Sequence, residues 1–132
     1  MNRIEFISLL ASGVVAISST FAAAEVIKVP AGRTSSIGSF SLFQTGTCTD
    51  GPKPKVTFKQ PAHGTLSAKW QSAKINEKGP CNGKMMRAFL IYYQPKSGFR
   101  GLDTGMAVFS YPSVINGPFD RVLNSKVEVD VK

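Results

Sequence analysis

Three stretches between residues 61 and 111 decide the fold, and they read Pro61-Ala62-His63-Gly64-Thr65-Leu66, Tyr92-Tyr93-Gln94-Pro95-Lys96-Ser97-Gly98-Phe99-Arg100-Gly101-Leu102-Asp103 and Phe109-Ser110-Tyr111. In them, residues that favour strands are interrupted by proline and glycine. Proline has no amide hydrogen to donate, and glycine adopts backbone angles that strain other residues, so both end strands and form turns. The pattern predicts strands joined at tight corners, as in a β-sandwich.

Short segments of the same character fill the chain from residue 25 onward, and polar or glycine-rich turns separate them. We find no window with the three- and four-residue apolar spacing of a helix. Seven strands are predicted, at Glu25–Val29, Ser39–Phe43, Lys55–Lys59, Thr65–Trp70, Arg87–Gln94, Thr104–Tyr111 and Lys126–Lys132. Such a series predicts an all-β fold, an immunoglobulin-like β-sandwich of about seven strands.

Two of these strands have the most definite patterns. The last alternates valine with charged residues, which places one face on a core. Arg87–Gln94 is almost continuously apolar, so we expect a central strand covered on both faces. Between strands, Gln71–Lys84 is expected to be a loop or to hold one more short strand, and Ile115–Asn124 is expected to be a loop.

The segment at residues 1–24 has the layout of a secretory signal peptide. Arg3 gives a positive start, an apolar run covers residues 6–17, and Ala22-Ala23-Ala24 offers the small residues that signal peptidase accepts. The alternative is a membrane anchor, which needs about 20 mostly apolar residues, and this run ends too early. We therefore expect cleavage after Ala24 and a periplasmic or secreted product. That product is one domain, residues 25–132, with no transmembrane segment.

The chain has two cysteines, Cys48 and Cys81, and export would place them where disulfides persist. A reactive thiol or a metal-ligand pair is the alternative, but neither cysteine has a histidine nearby in the sequence. We predict a Cys48–Cys81 disulfide that closes a loop of 33 positions. In the chain-entropy account, such a bridge stabilises the fold by at most about 3.5–4 kcal/mol.

The chain is strongly basic, with 16 lysine and arginine residues against 8 acidic ones and a net charge of +8. Loss of the signal-like segment would take away Arg3 and Glu5, one charge of each sign, and leave this balance unchanged. An exported basic domain can associate with anionic glycans, lipid headgroups or acidic proteins. An evenly solvated surface is the favoured interpretation unless folding gathers these residues on one face, because the lysines are scattered along the chain. No basic–aromatic nucleic-acid motif accompanies them, so no nucleic-acid partner is expected.

The corner motifs together resemble a known family. The run from Pro61 to Leu66, the pattern Tyr93-x-Pro95-x-x-Gly98-Phe99-x-Gly101-x-Asp103, the pair Phe109-x-Tyr111 and the closing alternating strand are similar to bacterial immunoglobulin-like and cadherin-like domains. Such domains often occur as tandem units in large surface and adhesion proteins. The resemblance covers about half of residues 25–132 and implies a sandwich fold with a binding or structural role.

Within this resemblance, the motif residues are parts of corners. Pro61 ends a strand, Gly64 supplies a positive φ at a hairpin corner, and His63 is a turn residue. Pro95 and Gly98 shape the turn after the central strand, Phe99 fills the end of the core, and Gly101 lets the backbone pass close by. Asp103 accepts hydrogen bonds from loop amides, and Tyr93 and Tyr111 are core or corner residues.

The chain also departs from the family. It has a single copy of the pattern, and its two cysteines lie outside it. Cadherin-type members can hold calcium with clustered acidic residues, as a hard cation requires, but Asp103 has no acidic residue close to it in the sequence. We therefore expect no metal and no cofactor.

No catalytic set is recognisable around His63, the only histidine. Thr65 and Ser67 lie in an ordinary strand without a nucleophile elbow, so a hydrolase is the least supported alternative. Trp70 and the Met85-Met86 pair are either core residues or exposed contacts, and the sequence does not decide between these two alternatives. The predicted function is an exported non-enzymatic module that binds an envelope protein or glycan or has a structural role. The alternative is a basic binder of anionic glycans or lipid headgroups.

Overall fold

A computed structural model describes residues 6–7, 15–19, 26–44, 46–75 and 79–132. The described residues form ten strands and contain no helix, so none of them belongs to a helix long and apolar enough to cross a membrane. The strands are β1 (Phe6–Ile7), β2 (Val15–Ser19), β3 (Val26–Val29), β4 (Ser35–Gln44), β5 (Thr49–Asp50), β6 (Lys55–Lys59), β7 (Gly64–Lys74), β8 (Met85–Pro95), β9 (Gly101–Tyr111) and β10 (Arg121–Val131).

These strands form two sheets. The larger has the order β1-β2-β4-β8-β7, and the short β5 also pairs with β4. The smaller has the order β3-β10-β9-β6, and in it β3 runs parallel to β10, whereas the other pairings among the described strands are antiparallel. The predicted central strand, β8, does lie between β4 and β7, although Leu90 and Tyr92 on its outer face are only half-buried.

The two sheets pack face to face around a main hydrophobic core, which confirms the predicted all-β sandwich. Phe40 of β4 stacks on Phe109 of β9 across the sheets, with ring centroids 4.1 Å apart. Burial of a large apolar side chain is worth about 1.5–3 kcal/mol, so such contacts hold the layers together. The smaller sheet contributes alternating inward residues to this core, namely Ala107, Phe109, Val127, Val129 and Val131.

All seven predicted strands are present, but several are longer than predicted. β10 begins at Arg121, so the predicted loop at Ile115–Asn124 is wrong over residues 121–124. Residues 121–124 do not alternate between apolar and polar side chains, yet they pair with β9 residue for residue, starting with Arg121 opposite Tyr111. β7 likewise continues to Lys74, because β8 offers it partners as far as Met85.

A second, smaller apolar cluster lies where the β7–β8 loop meets β4 and β8. Cys81 in that loop forms the predicted disulfide with Cys48, and their Cα atoms are 5.3 Å apart. Met86 is 2% exposed and Met85 is 61% exposed, so the first is a core residue and the second lies on the surface. The buried members of the cluster are Phe43, Ile75, Cys81 and Met86.

Two of the strands, β1 and β2, lie within the segment at residues 1–24. β2 pairs antiparallel with residues 40–44 of β4, and β1 pairs with β2. The rest of this segment, including Ala22-Ala23-Ala24, lies outside the described residues. The signal peptide and its cleavage stay predictions. Cleavage there would remove β1 and β2 and leave residues 40–44 at an edge of the sheet.

Candidate functional site

Most of the corner motif residues meet at one end of the sandwich, around the carboxylate of Asp103. This residue lies near the start of β9 and is 4% exposed. Each of its oxygens accepts a hydrogen bond from the backbone N–H of His63 at 3.2 Å, and Oδ2 also accepts one from the Tyr93 hydroxyl at 2.8 Å. One buried carboxylate thus joins the turn before β7 to strands β8 and β9, and its buried oxygens are satisfied.

Gly64 is required at this corner for space and not for a special backbone angle. A Cβ added to Gly64 would lie 2.6 Å from the Tyr93 hydroxyl oxygen, well inside contact distance. The predicted positive φ at Gly64 is therefore wrong, and positive values occur instead at Gly98 (80°) and Gly101 (120°). At Gly101 the prediction of close backbone passage is also wrong, because a Cβ there would be 3.9 Å from its nearest neighbour, and the φ angle is what favours glycine.

The side chain of His63 is exposed and stacks on the half-buried ring of Phe99, with centroids 4.3 Å apart and an interplanar angle of 5°. Its backbone is bound on both sides, because the N–H donates to Asp103 and the carbonyl accepts from the N–H of Lys96. Phe99 in turn packs against the main core. These contacts are those of a residue that fixes a turn.

The corner is built for a neutral Tyr93, whose side chain is fully buried. Burial raises the pKa of the Tyr93 hydroxyl well above its ordinary value, and the hydrogen bond to Asp103 and the charge of that carboxylate raise this pKa further. Ionisation would remove the donated hydrogen bond and bring two negative charges together. The folded structure therefore favours the protonated, neutral form of Tyr93.

Tyr111 lies away from this corner, at the opposite end of β9. It is 8% exposed, and its ring centroid is 5.7 Å from that of Phe40. Burial is the main cause that raises the pKa of its hydroxyl. The motif residues that the structure gathers at the corner are Pro61, His63, Gly64, Tyr93, Pro95, Gly98, Phe99, Gly101 and Asp103.

A different group of side chains, further along β7 and β8, brings positive charge against aromatic rings. We call Lys53, Trp70, Arg87 and Phe89 the basic–aromatic cluster. Lys53 Nζ lies 5.9 Å from the centre of the Trp70 ring and 5.6 Å from that of Phe89, and Arg87 Cζ lies 5.6 Å from that of Trp70. At such distances a cation is attracted by the electron density of the ring, so the four side chains form one contact group.

Strand pairing builds this cluster. Trp70 lies directly opposite Phe89 in the β7–β8 register, and their ring centroids are 4.9 Å apart. Arg87 precedes Phe89 by two residues and so lies on the same face of β8. The backbone N–H of Arg87 donates to Asp50 Oδ1 at 2.7 Å, and its guanidinium Nη2 donates to the Trp70 carbonyl at 3.4 Å. Lys53 immediately precedes a buried proline, Pro54, before β6 begins.

The positive charge of the cluster is not neutralised by the acidic residues that the structure describes. Glu128 and Asp130 form ion pairs with Lys126 and Lys132, at 2.7 and 3.0 Å. The other three described carboxylates accept hydrogen bonds from backbone N–H groups or hydroxyls, at Asp50, Asp103 and Asp120. Within the described ranges, Lys53 and Arg87 form no ion pair, and both are exposed.

Sequence reasoning found only one member of the cluster. It left Trp70 open as an exposed contact, and this residue is half-buried and packs against the main core. It missed Lys53 and Arg87, each of which is 17 positions from Trp70. The signal that would find Arg87 is the pairing of β7 with β8, which sets it diagonally across from Trp70.

Among the described residues, no three histidine, cysteine, aspartate or glutamate side chains come together as a group that could hold a metal ion. Comparison of the chain with protein-family models, with curated proteins and with solved structures finds no match. The resemblance to immunoglobulin-like and cadherin-like domains therefore stays a prediction.

Proposed function

We propose that this chain is an exported, non-enzymatic β-sandwich module of the immunoglobulin-like type, with a binding or structural role in the cell envelope. The observation that carries this proposal is the Cys48–Cys81 disulfide. Disulfides persist in oxidising compartments outside the cytoplasm and are rare inside it. The disulfide and the signal-like segment at residues 1–24 thus support the same compartment.

The corner supports the non-enzymatic part of the proposal. The one histidine of the chain fixes a turn through its backbone, and its ring stacks on Phe99. Asp103, a buried acidic residue, has its oxygens occupied by hydrogen bonds from His63 and Tyr93. Both residues thus have structural uses that agree with their places in the immunoglobulin-like and cadherin-like pattern. A module whose polar groups maintain its shape is suited to binding or scaffolding.

Thiol trapping in cells tests the proposed compartment. The full-length chain is expressed in a bacterial host beside a control that starts with a methionine placed before Glu25 and so lacks the leader. After denaturation, we expect the cysteines of the full-length chain to be oxidised and to escape maleimide, because export takes them to an oxidising compartment. Those of the leaderless control should react. Equal maleimide labelling of the two forms would contradict export.

A further inference from the structure

We propose that the basic–aromatic cluster is a binding site for acidic sugars, that is, for a glycan residue that carries a sulfate, phosphate or carboxylate group. The proposed function leaves the ligand open, and this inference relies on it only for the compartment in which a glycan would be met.

The charge of the cluster favours an anion. Lys53 and Arg87 are exposed, and neither is paired with a carboxylate among the described residues. Asp50, a described acid that contacts Arg87, uses an oxygen to accept a hydrogen bond from its backbone N–H. An anionic ligand would therefore meet two cations without first displacing a carboxylate paired with either of them. The net charge of +8 adds a long-range attraction that falls as salt is added.

The cluster is also held in place before any ligand arrives. Pairing of β7 with β8 fixes Trp70 against Phe89, and the Trp70 carbonyl accepts a hydrogen bond from the Arg87 guanidinium. The planar guanidinium presents several N–H groups in a fork that matches the oxygens of a sulfate, phosphate or carboxylate. Because these side chains are already ordered, less conformational entropy is lost on binding.

The aromatic part of the cluster favours a sugar as the carrier of the anion. Trp70 is half-buried, and the two cations lie over its flat apolar ring. Binding sites for small molecules combine such aromatic surfaces with a few polar groups that fix orientation. A sugar ring can pack its C–H groups on the exposed part of Trp70 while its acidic substituent reaches Lys53 and Arg87.

A membrane surface is the competing anionic partner, and the structure favours it less. Electrostatic attraction to a membrane acts through several lysine and arginine side chains on the protein surface, more than through two cations held in one place. Three apolar side chains among the described residues are strongly exposed, Met85 of β8, Leu102 of β9 and Val122 of β10. Leu102 and Val122 belong to the other sheet, so of these only Met85, two residues before Arg87, adjoins the cluster. Membrane binding grows with the apolar area that is buried, and one side chain offers little of it.

The test uses the protein as recovered after expression of the full-length chain, and dextran sulfate oligosaccharides as the acidic probe, with uncharged dextran as the matched probe. Trp70 is the only tryptophan, so its fluorescence reports on the site directly. We expect a saturable fluorescence change with dextran sulfate, none with dextran, and an affinity that falls steeply as salt is raised. A saturable change of equal size with both probes would overturn the proposal.

Two double variants distinguish binding at the cluster from attraction by the net positive charge of the protein. Lys53→Gln with Arg87→Gln removes two positive charges from the cluster, whereas Lys96→Gln with Arg100→Gln removes two exposed ones near the corner. We expect the cluster variant to bind dextran sulfate at least about tenfold more weakly, and the control to change by less than about twofold. Circular dichroism checks that both fold. If the cluster variant does not, Lys53→Gln alone is measured, with a loss of about fivefold expected.

Equal weakening of both variants would overturn the proposal in favour of diffuse charge attraction. Binding to phosphatidylglycerol vesicles without binding to dextran sulfate would overturn it in favour of a membrane. The absence of either binding at low salt would overturn it outright. None of these results affects the thiol trapping, so a failure of this site and a failure of export are distinguishable.

Discussion

At the residue scale, the corner depends on the Tyr93 hydroxyl. Tyr93→Phe keeps the packed ring but removes the hydrogen bond to the buried carboxylate of Asp103. Because hydrogen bonds to charged groups are worth about 1.5–3 kcal/mol, we expect the free energy of unfolding to fall by about that amount. Urea unfolding measures it. Tyr92→Phe, at the half-buried neighbouring position, is the control and should change the same quantity by less than about 0.5 kcal/mol.

The same residue predicts an alkaline loss of stability. In the unfolded chain the tyrosine hydroxyl ionises at about pH 10, whereas in the folded chain Tyr93 holds its proton to higher pH. Its contribution to stability is therefore complete below about pH 10 and is lost as the pH rises through that value toward the folded-state pKa. Unfolding free energies compared at about pH 8 and about pH 11 should fall more for wild type than for Tyr93→Phe. An identical fall in the two proteins would argue against the raised pKa.

Local residue chemistry predicted only part of this corner. Asp103 was expected to bind loop amides because its side chain is a short hydrogen-bond acceptor, and it does accept a hydrogen bond from the backbone N–H of His63. Gly64 was expected at a corner for its φ angle, but its role comes from the Tyr93 ring packed against it. The Tyr93–Asp103 hydrogen bond links two strands across ten positions, and such a link depends on the packing of β8 and β9, which local sequence does not specify.

At the element scale, the strands were predictable where apolar and polar residues alternate. β6 occupies Lys55–Lys59 as predicted, and Val127, Val129 and Val131 of β10 are buried at 2% exposure or less. The first part of β10 lacks such a pattern, because its strand conformation comes from pairing with β9 from Arg121 onward. Partner strands, more than intrinsic preference, decide where a strand begins.

The disulfide carries the prediction at this scale. Cys48→Ser with Cys81→Ser should lower the free energy of unfolding by up to about 3.5–4 kcal/mol, because the unfolded chain gains the freedom that the bridge removes. Urea unfolding measures the change, and reduction of the wild-type protein is the control that should reproduce it. An unfolding free energy that both treatments leave unchanged would show that the bridge does not stabilise the fold.

The amides of the β7–β8 loop locate the effect of the bridge. Ile75 N–H bonds the Lys84 carbonyl and Gly83 N–H bonds the Ile75 carbonyl, each at 2.8 Å, next to Cys81. In the serine variant, hydrogen exchange of these amides should accelerate relative to the wild type by more than exchange of the amides that pair β9 with β10. The reason is that the loop is the part of the structure that the bridge holds directly. A uniform acceleration in both regions would indicate that the bridge acts on the whole sandwich.

At the scale of the whole molecule, the sequence indicated the sign of the charge but not its arrangement. The lysines and arginines are scattered along the chain, and this scatter favoured an evenly solvated surface over a binding one. Folding brings Lys53 and Arg87 to one tryptophan because the β5–β6 connection and strand β8 both reach β7. A single sequence does not reveal this tertiary arrangement, so the cluster could be found only in the structure.

The intact mass of the protein recovered outside the cytoplasm tests most directly whether it is an exported sandwich closed by one covalent bridge. We predict the mass of a chain that begins at Glu25 and ends at Lys132, lower by two hydrogens because Cys48 and Cys81 are joined. The mass of the uncleaved chain, or a cleaved chain that retains both thiol hydrogens, would contradict the account.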